Sequence, residues 1–390
     1  MTTFIHTADW QLGKPFAGIA DPAKRARVQQ ERIEAIRRIG QIVREKHATF
    51  VVVAGDLFDS PTPTKATVAN ALGAIGAIGV PVYAIPGNHD HGGPDSLWEQ
   101  TFFRREHASL AANFHILLTR EPVVLDEAVL LPCPLLRRHE AEDPTAWIRD
   151  LDCTPFSAKP RIVLAHGSVG SFGGQADEED AAGPANTIAI DALPLAEIDY
   201  IALGDWHGFR NVGDKAWYSG SHETDRFPKT DQMPGHVACV RVSRAAAPAV
   251  EAAPTGRLQW LKHTIDLGDE GSRRCDTILT ESTRAAGFDA CLADLVLQGS
   301  VSLADRQALD QILDTWSARL LRLDIDDGVR LAPSADEIRE LAERPGDPII
   351  SRVTTELLRR AAENGADADV IREAIHLLHS LCNNPSERRA

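Results

Sequence analysis

Val82-Tyr83-Ala84-Ile85-Pro86-Gly87-Asn88-His89-Asp90 is the stretch on which the reading of this chain turns. Its first four residues have the apolar, β-branched and aromatic character of a buried strand. Pro86 and Gly87 then end the strand in a sharp turn. A carboxamide, an imidazole and a carboxylate follow side by side, and in an open α/β sheet the carboxyl end of a strand is where ligands bind. Pro-Gly-Asn is also ordinary turn chemistry, so the stretch alone leaves turn and site both open. What decides between them is whether other strands end in matching groups.

Upstream, Phe4-Ile5-His6-Thr7 reads as a short strand followed by Ala8-Asp9-Trp10-Gln11-Leu12-Gly13. Pro22 to Lys46 has helical periodicity, with Val28, Ile33, Ile36, Ile39 and Val43 on one face. Phe50-Val51-Val52-Val53 is a continuous apolar strand, the kind buried on both faces, and ends in Ala54-Gly55-Asp56-Leu57-Phe58-Asp59. Lys65 to Ile78 is expected as a second helix despite Gly73 and Gly76. Strand, helix, strand, helix, strand predicts a parallel sheet. Beyond Trp98 the pattern loosens, with strands expected at Val123–Leu125 and Val129–Leu131. Arg161 to Ala165 is another buried strand, ending in His166-Gly167, and Ser168 to Thr187, rich in Gly and acids, is expected as a mobile loop. Tyr200 to Leu203 runs into Gly204-Asp205-Trp206-His207-Gly208, and Ala216-Trp217-Tyr218 into Ser219-Gly220-Ser221-His222-Glu223. A hairpin is expected next, Val237–Val242 out and Leu258–Leu267 back, with the Ala/Pro-rich run Ala245–Thr255 as its loop.

Five strand ends therefore carry ligand-type residues: Asp9 with Gln11, Asp56, Asn88 with His89, His166, and Asp205 with His207. In one sheet these ends would converge on one edge. Together they offer the mixed oxygen and nitrogen donors that suit hard or borderline divalent ions such as manganese, with magnesium, iron or zinc as alternatives. A carboxylate such as Asp56 can bridge two ions, and a two-metal site activates water for in-line attack on phosphorus.

The ordered set Asp9-x-Gln11, Gly55-Asp56-x-x-Asp59, Gly87-Asn88-His89-Asp90, His166-Gly167 and Gly204-Asp205-x-His207 resembles the calcineurin-like metallophosphoesterases. More narrowly, His6 to Lys14 and Val53 to Asp59 are similar to the DNA-repair exonuclease branch that contains the SbcD nucleases. The resemblance implies an α/β fold, a four-layer α-β-β-α sandwich over residues 1–268. A small α+β cap would follow at 269–333, and a C-terminal helical segment at 334–390. It further implies two divalent ions, one held by Asp9, Gln11, Asp56 and His207, the other by Asp56, Asn88, His166 and Asp205. His89 would be the catalytic histidine, with Asp90 orienting it. The family usually has His where this chain has Gln11 and Asp205. A neutral amide at Gln11 is the weaker donor, which predicts one tight and one exchangeable ion. Implied partners are DNA and an SMC-like ATPase docked by the C-terminal helices, with a homodimer as the working form.

Composition bounds these readings. The 390 residues are long for one domain, and 43% apolar with 25% charged residues is ordinary for a globular protein. No apolar run reaches membrane-spanning length, six cysteines lie scattered without paired spacing, and a cytoplasmic, nucleoid-associated location is expected. A net charge of -15 argues against whole-surface attraction to nucleic acid while leaving a local basic groove open. His6 reads as a buried support. His222, next to the expected site, is either a substrate-binding residue or a surface one. Three functions follow: a metal-dependent DNA exonuclease or endonuclease, a phosphodiesterase for a nucleotide or other small phosphoester, and a weakened scaffold suggested by Gln11.

Overall fold

The computed structural model describes residues 1–156, 158–169, 186–227, 232–268, 271–344, 346–362 and 368–383. The chain divides into two units, Met1–Trp260 and Leu261–Ala390. In the first, the strands are β1 (Thr2–Thr7), β2 (Phe50–Ala54), β3 (Val82–Ile85), β4 (Phe114–Ile116), β5 (Val123–Val124), β6 (Val129–Cys133) and β7 (Arg161–His166). They continue with β8 (Ser168–Val169), β9 (Thr187–Ile188), β10 (Tyr200–Gly204), β11 (Arg210–Asn211), β12 (Ala216–Tyr218), β13 (His236–Val242) and β14 (Ala249–Pro254). One sheet has the order β14-β13-β1-β2-β3-β4, the other β11-β12-β10-β7-β6-β5. β1 to β4 run parallel, as do β6, β7, β10 and β12.

Two-residue alternation assigns each face of these strands to a different apolar layer. Val51 and Val53 of β2 pack in one cluster with Ile36, Ile39, Leu72 and Phe103 of the helices α1 (Pro22–Lys46), α2 (Lys65–Gly76) and α3 (Thr101–Leu110). Phe50 and Val52 of the same strand meet Ile162 and Leu164 of β7 and Tyr200 and Ala202 of β10 in a core between the sheets. Val163, Ala165, Ile201 and Leu203 point to the far side of the second sheet. Fully burying each such side chain contributes roughly 1.5–3 kcal/mol. The result is the expected α/β sandwich. Among the described residues, part of its outer cover over the second sheet comes from short 3-10 turns such as Ala146–Ile148 and Ile190–Ala192.

α1 starts where the sequence signals it: the Asp21 side chain accepts from the Ala23 and Lys24 N–H groups and Pro22 takes the first helical position. It stops at His47, which is left-handed (φ 52°). His6 lies between the sheets and is fully buried, with Nδ1 3.0 Å from the Tyr200 hydroxyl and Nε2 3.2 Å from the Leu203 carbonyl. Burial holds its imidazole down at about 3, so it stays neutral.

The C-terminal hairpin differs from expectation. β13 pairs antiparallel with β14, a strand inside the run Ala245–Thr255 that reads in sequence as loop. Ala-Val-Glu-Ala-Ala-Pro has little β propensity of its own, and edge pairing to β13 with Pro254 at the strand end overrides it. The segment expected as the returning strand instead forms β15 (Gln259–Asp266), in a separate sheet with the strands Cys291–Gln298 and Arg322–Asp327. The interior of the expected loop between Ser168 and Thr187 lies outside the described residues; its two ends pair as β8 and β9.

In the second unit, β16 (Cys291–Gln298) and β18 (Arg322–Asp327) are parallel, and the short strands β17 (Ser300–Val301) and β19 (Arg330–Leu331) pair beside them. The helices α4 (Ser272–Thr283) and α5 (Leu303–Arg319) close a core of Leu279, Leu295, Leu309 and Trp316. Three further helices follow: α6 (Ala335–Ala342), α7 (Pro348–Ala361) and α8 (Ala368–Asn383). α6 opens with a full capping box, Ser334 with Glu337.

Candidate active site

The carboxyl ends of β1, β2, β3, β7 and β10 meet at one edge of the sandwich. The loops after β1 and β2 run side by side: Asp9 N–H donates to the Gly55 carbonyl at 3.1 Å, Gln11 N–H to Asp56 at 2.9 Å, and Leu12 N–H to Leu57 at 2.8 Å. Asp9 (φ 54°), Gln11 (φ 40°), Asp56 (φ 55°) and Asp205 (φ 105°) all have positive φ. A side chain in the left-handed region costs about 1–2 kcal/mol, and four strand-end residues bear that strain together. Such strain persists where the surrounding structure over-determines a functional geometry.

Glycine allows the closest approach. Gly87 presses on Asp56 so tightly that a Cβ there would stand 2.1 Å from Asp56 Oδ1, and a Cβ on Gly55 would stand 2.2 Å from His166 Nδ1. Asp9, Asp56 and His166 are all buried, and each offers a ligand atom within 4.8 Å of the others. That is close to the roughly 4–5 Å separating donors on opposite sides of one divalent ion. His166 Nδ1 lies 2.8 Å from the Ala54 carbonyl, which can only accept, so Nδ1 carries a proton and Nε2 faces the cluster. Nε2 sits 2.8 Å from Asn88 Oδ1, 3.6 Å from Asp56 Oδ1 and 3.9 Å from Asp205 Oδ1. Burial pulls the His166 pKa down, but the charges of Asp56, Asp9 and Asp205 outweigh it and hold it at about 9. Burial raises Asp9. Carboxylates gathered in the dry end of a sheet need a cation, and the donor set matches a divalent one.

His89 stands over this cluster. Its N–H donates to Asp56 Oδ1 at 3.0 Å, its Nδ1 donates to the Asp59 carbonyl at 2.9 Å, and its Nε2 lies 4.0 Å from Asp56 Oδ2. Burial works against its charge, but Asp56 and the Asp59 carbonyl prevail and raise its pKa. Being only partly buried, the ring can reach a bound molecule.

The sequence description of the calcineurin-like phosphoesterases matches residues 2–209, more than half of the chain. The chain belongs to the calcineurin-like phosphoesterase family. One similar solved structure is 13% identical, with a TM-score of 0.39 over 64% of this chain and 98% of its own, too loose a likeness to argue from. Membership makes this a metal-dependent phosphoester hydrolase. The buried donors Asp9, Asp56 and His166 fit the divalent metal that the family uses.

Within this phosphoesterase, Asp90 does not orient His89. Its Oδ2 accepts from the Leu57 and Phe58 N–H groups at 2.8 and 3.1 Å, and its Oδ1 from Gly87 at 2.8 Å. Asp90 therefore ties the turn after β3 to the loop after β2, and the Asp59 carbonyl aims the imidazole. His222 is likewise neither at the surface nor open to substrate. It is fully buried, with Nε2 2.8 Å from the Arg32 carbonyl and its ring tilted against Trp10. Burial and the nearby Arg32 charge lower its pKa well below the ordinary value.

Gln11 and His207 are at the centre but otherwise engaged. Lys14 Nζ donates to Gln11 Oε1 at 3.0 Å, while His207 Nδ1 lies 3.5 Å from Asp225 Oδ1 and 3.3 Å from Arg226 Nη2. Asp205 N–H donates to both oxygens of Asp9, at 3.0 and 3.2 Å. Lys14 and Asp59 lay inside the quoted motifs without an assigned role, whereas Arg32 and Asp225 were not legible as members of the site. Arg32 is buried under the first loop, its guanidinium donating to the carbonyls of Asp9, Trp10 and Glu223. The one sequence signal for Asp225 was its place three residues beyond His222, in the same segment.

Proposed function

We propose that this enzyme is a phosphodiester hydrolase acting on DNA, an exonuclease or endonuclease that uses manganese. The observation that carries the hydrolase reading is His89 set over Asp56, in the same cluster as Asp9, Asn88 and His166. A divalent ion held there neutralises phosphoryl charge and makes water a better nucleophile. Asp9, Asp56, Asn88, His166, Asp205 and His207 are the residues we assign to holding it. His89, with its raised pKa, offers Nε2–H to the leaving oxygen and gives up that proton as the ester bond breaks.

Support for DNA as substrate is the motif likeness of the segments around Asp9 and Asp56 to DNA-repair exonucleases. In this reading the residues from 269 to 333 gate the substrate, and the C-terminal helices dock an SMC-like ATPase, with the hydrolase as a homodimer. A second reading, hydrolysis of a small phosphoester, draws on the net charge of -15. The purified chain would be assayed with manganese, magnesium and zinc on linear duplex DNA, single-stranded DNA and bis(p-nitrophenyl) phosphate. Cleavage of both DNAs that is lost in His89→Ala supports the nuclease; turnover of the chromogenic ester alone selects the second reading. Inactivity on all three refutes both.

A further inference from the structure

The half of the centre around Gln11 carries a different charge pattern from the half around His166. Oε1 is the one atom of Gln11 suited to ligate a cation, and Lys14 Nζ donates to it at 3.0 Å. The same ammonium donates to Asp225 Oδ2 at 2.6 Å. Asp225 is buried, and its other oxygen faces His207 Nδ1 at 3.5 Å and Arg226 Nε at 3.4 Å. Lys14 is delivered from a clamped turn: its N–H donates to the Gln11 carbonyl at 3.2 Å, and Gln29 Nε2 donates to the Lys14 carbonyl at 2.9 Å.

We propose that Lys14 is a built-in cation that takes the place of one of the two metal ions, so that the chain holds a single tight divalent ion and binds a phosphoryl oxygen through the Lys14 ammonium. The proposal rests on the phosphoester-hydrolase reading. A neutral amide oxygen already bonded to an ammonium has no charge left to attract a second divalent ion, and two cations on one oxygen repel. Asp225 offers no relief, because Lys14, Arg226 and His207 surround it. Around His166, by contrast, Asp56, Asp9 and Asp205 leave an excess of negative charge for one ion. An ammonium has three N–H groups. Two are directed at Gln11 and Asp225, and the Lys14 side chain remains 23% exposed, enough for a phosphoryl oxygen to reach the third. Gln11 is then a positioning residue for Lys14, and an imidazole in its place would restore a metal ligand.

The test uses the full chain, loaded with manganese, dialysed exhaustively and analysed by metal-counting mass spectrometry. About one ion per chain is expected for the wild type, and a value near two for the double variant Gln11→His with Lys14→Met. Two equally tight ions in the wild type overturn the proposal without any variant. Lys14→Met should keep its ion but raise KM for bis(p-nitrophenyl) phosphate about tenfold or more, the loss of one charge-assisted hydrogen bond, with Lys14→Arg restoring most of it. An unchanged KM in a folded Lys14→Met protein, checked by its melting curve, overturns the substrate contact. If the wild type hydrolyses no ester with any metal, the hydrolase reading fails, while the metal count still decides whether Lys14 replaces an ion.

Discussion

Gly87→Ala isolates the geometry of the centre from its chemistry. Gly87 has no positive φ, so alanine meets no backbone penalty, and the added methyl is the whole perturbation. That methyl would stand 2.1 Å from Asp56 Oδ1, 2.6 Å from the Asp56 nitrogen and 2.9 Å from its Cγ. A Cβ essentially never approaches another heavy atom within 3.0 Å, so the Asp56 carboxylate must retreat by about 0.9 Å and, because the Asp56 backbone nitrogen is also too close, the turn after β3 must shift with Asn88 and His89. Metal sites tolerate donor errors of only about 0.2 Å, and a misplacement of about 1 Å at a reacting centre costs on the order of 100-fold in rate. We expect manganese affinity to fall by about 10- to 100-fold and kcat/KM by about 100-fold. Overpacking should take only about 1–3 kcal/mol from stability, leaving the protein folded at assay temperature. Isothermal titration with manganese, a phosphodiester assay and a melting curve on the same preparation measure all three. A folded variant with wild-type metal affinity and rate would show that Asp56 is not a metal-holding residue.

Other consequences can be checked separately. His89→Ala should lower kcat by about 100- to 10,000-fold while leaving the metal count unchanged, and loss of the ion instead would reassign His89 to metal holding. Because His166 keeps its proton up to about 9 in the metal-free protein, an incoming ion must displace it. Apparent manganese affinity should therefore climb about tenfold per pH unit and level off near pH 9, and a flat profile in chelator competition would contradict this. The same raised pKa stabilises the metal-free fold fully below the ordinary histidine value of 6.5, and that share is lost as pH rises through about 9. Arg32→Met strands the buried carbonyls of Asp9, Trp10 and Glu223, and at about 1–3 kcal/mol for each unsatisfied group should cost at least about 3 kcal/mol, read as a fall in Tm of about 10 °C. A Tm within a degree of wild type would mean that those loops hold without it.

The strand-end convergence was legible because each apolar run is halted by Gly, Pro or a polar pair at its carboxyl end. Asp9, Asp56 and Asn88 follow such runs directly, and parallel pairing within one sheet places those ends together. His166 and Asp205 stand at strand ends of the second sheet and join them only through the packing of the two sheets, not within one sheet as expected. What acts through tertiary contact was not legible. Arg32 reads in sequence as one polar position on a helix, yet it is buried beneath Asp9. Asp90 stands beside His89 in sequence, but its two oxygens point back to backbone N–H groups. His222 lies near the right motif on a segment that turns inward. The strand Ala249–Pro254 was hidden for another reason: its residues have little local preference, and only the neighbouring strand makes them extend.

The layer of Phe50, Val52, Ile162, Leu164, Tyr200 and Ala202 between the sheets has a second consequence. Asp56 hangs from one sheet and His166 from the other, so the 3.6 Å between their donor atoms is the difference of two positions fixed by separate frames. The apolar filling is the shim that sets that gap. Apolar residues that touch no ligand therefore share in setting the distance between the donors, and Ile162→Val, at a cost of about 0.5–1.5 kcal/mol, should disturb the centre as well as the core.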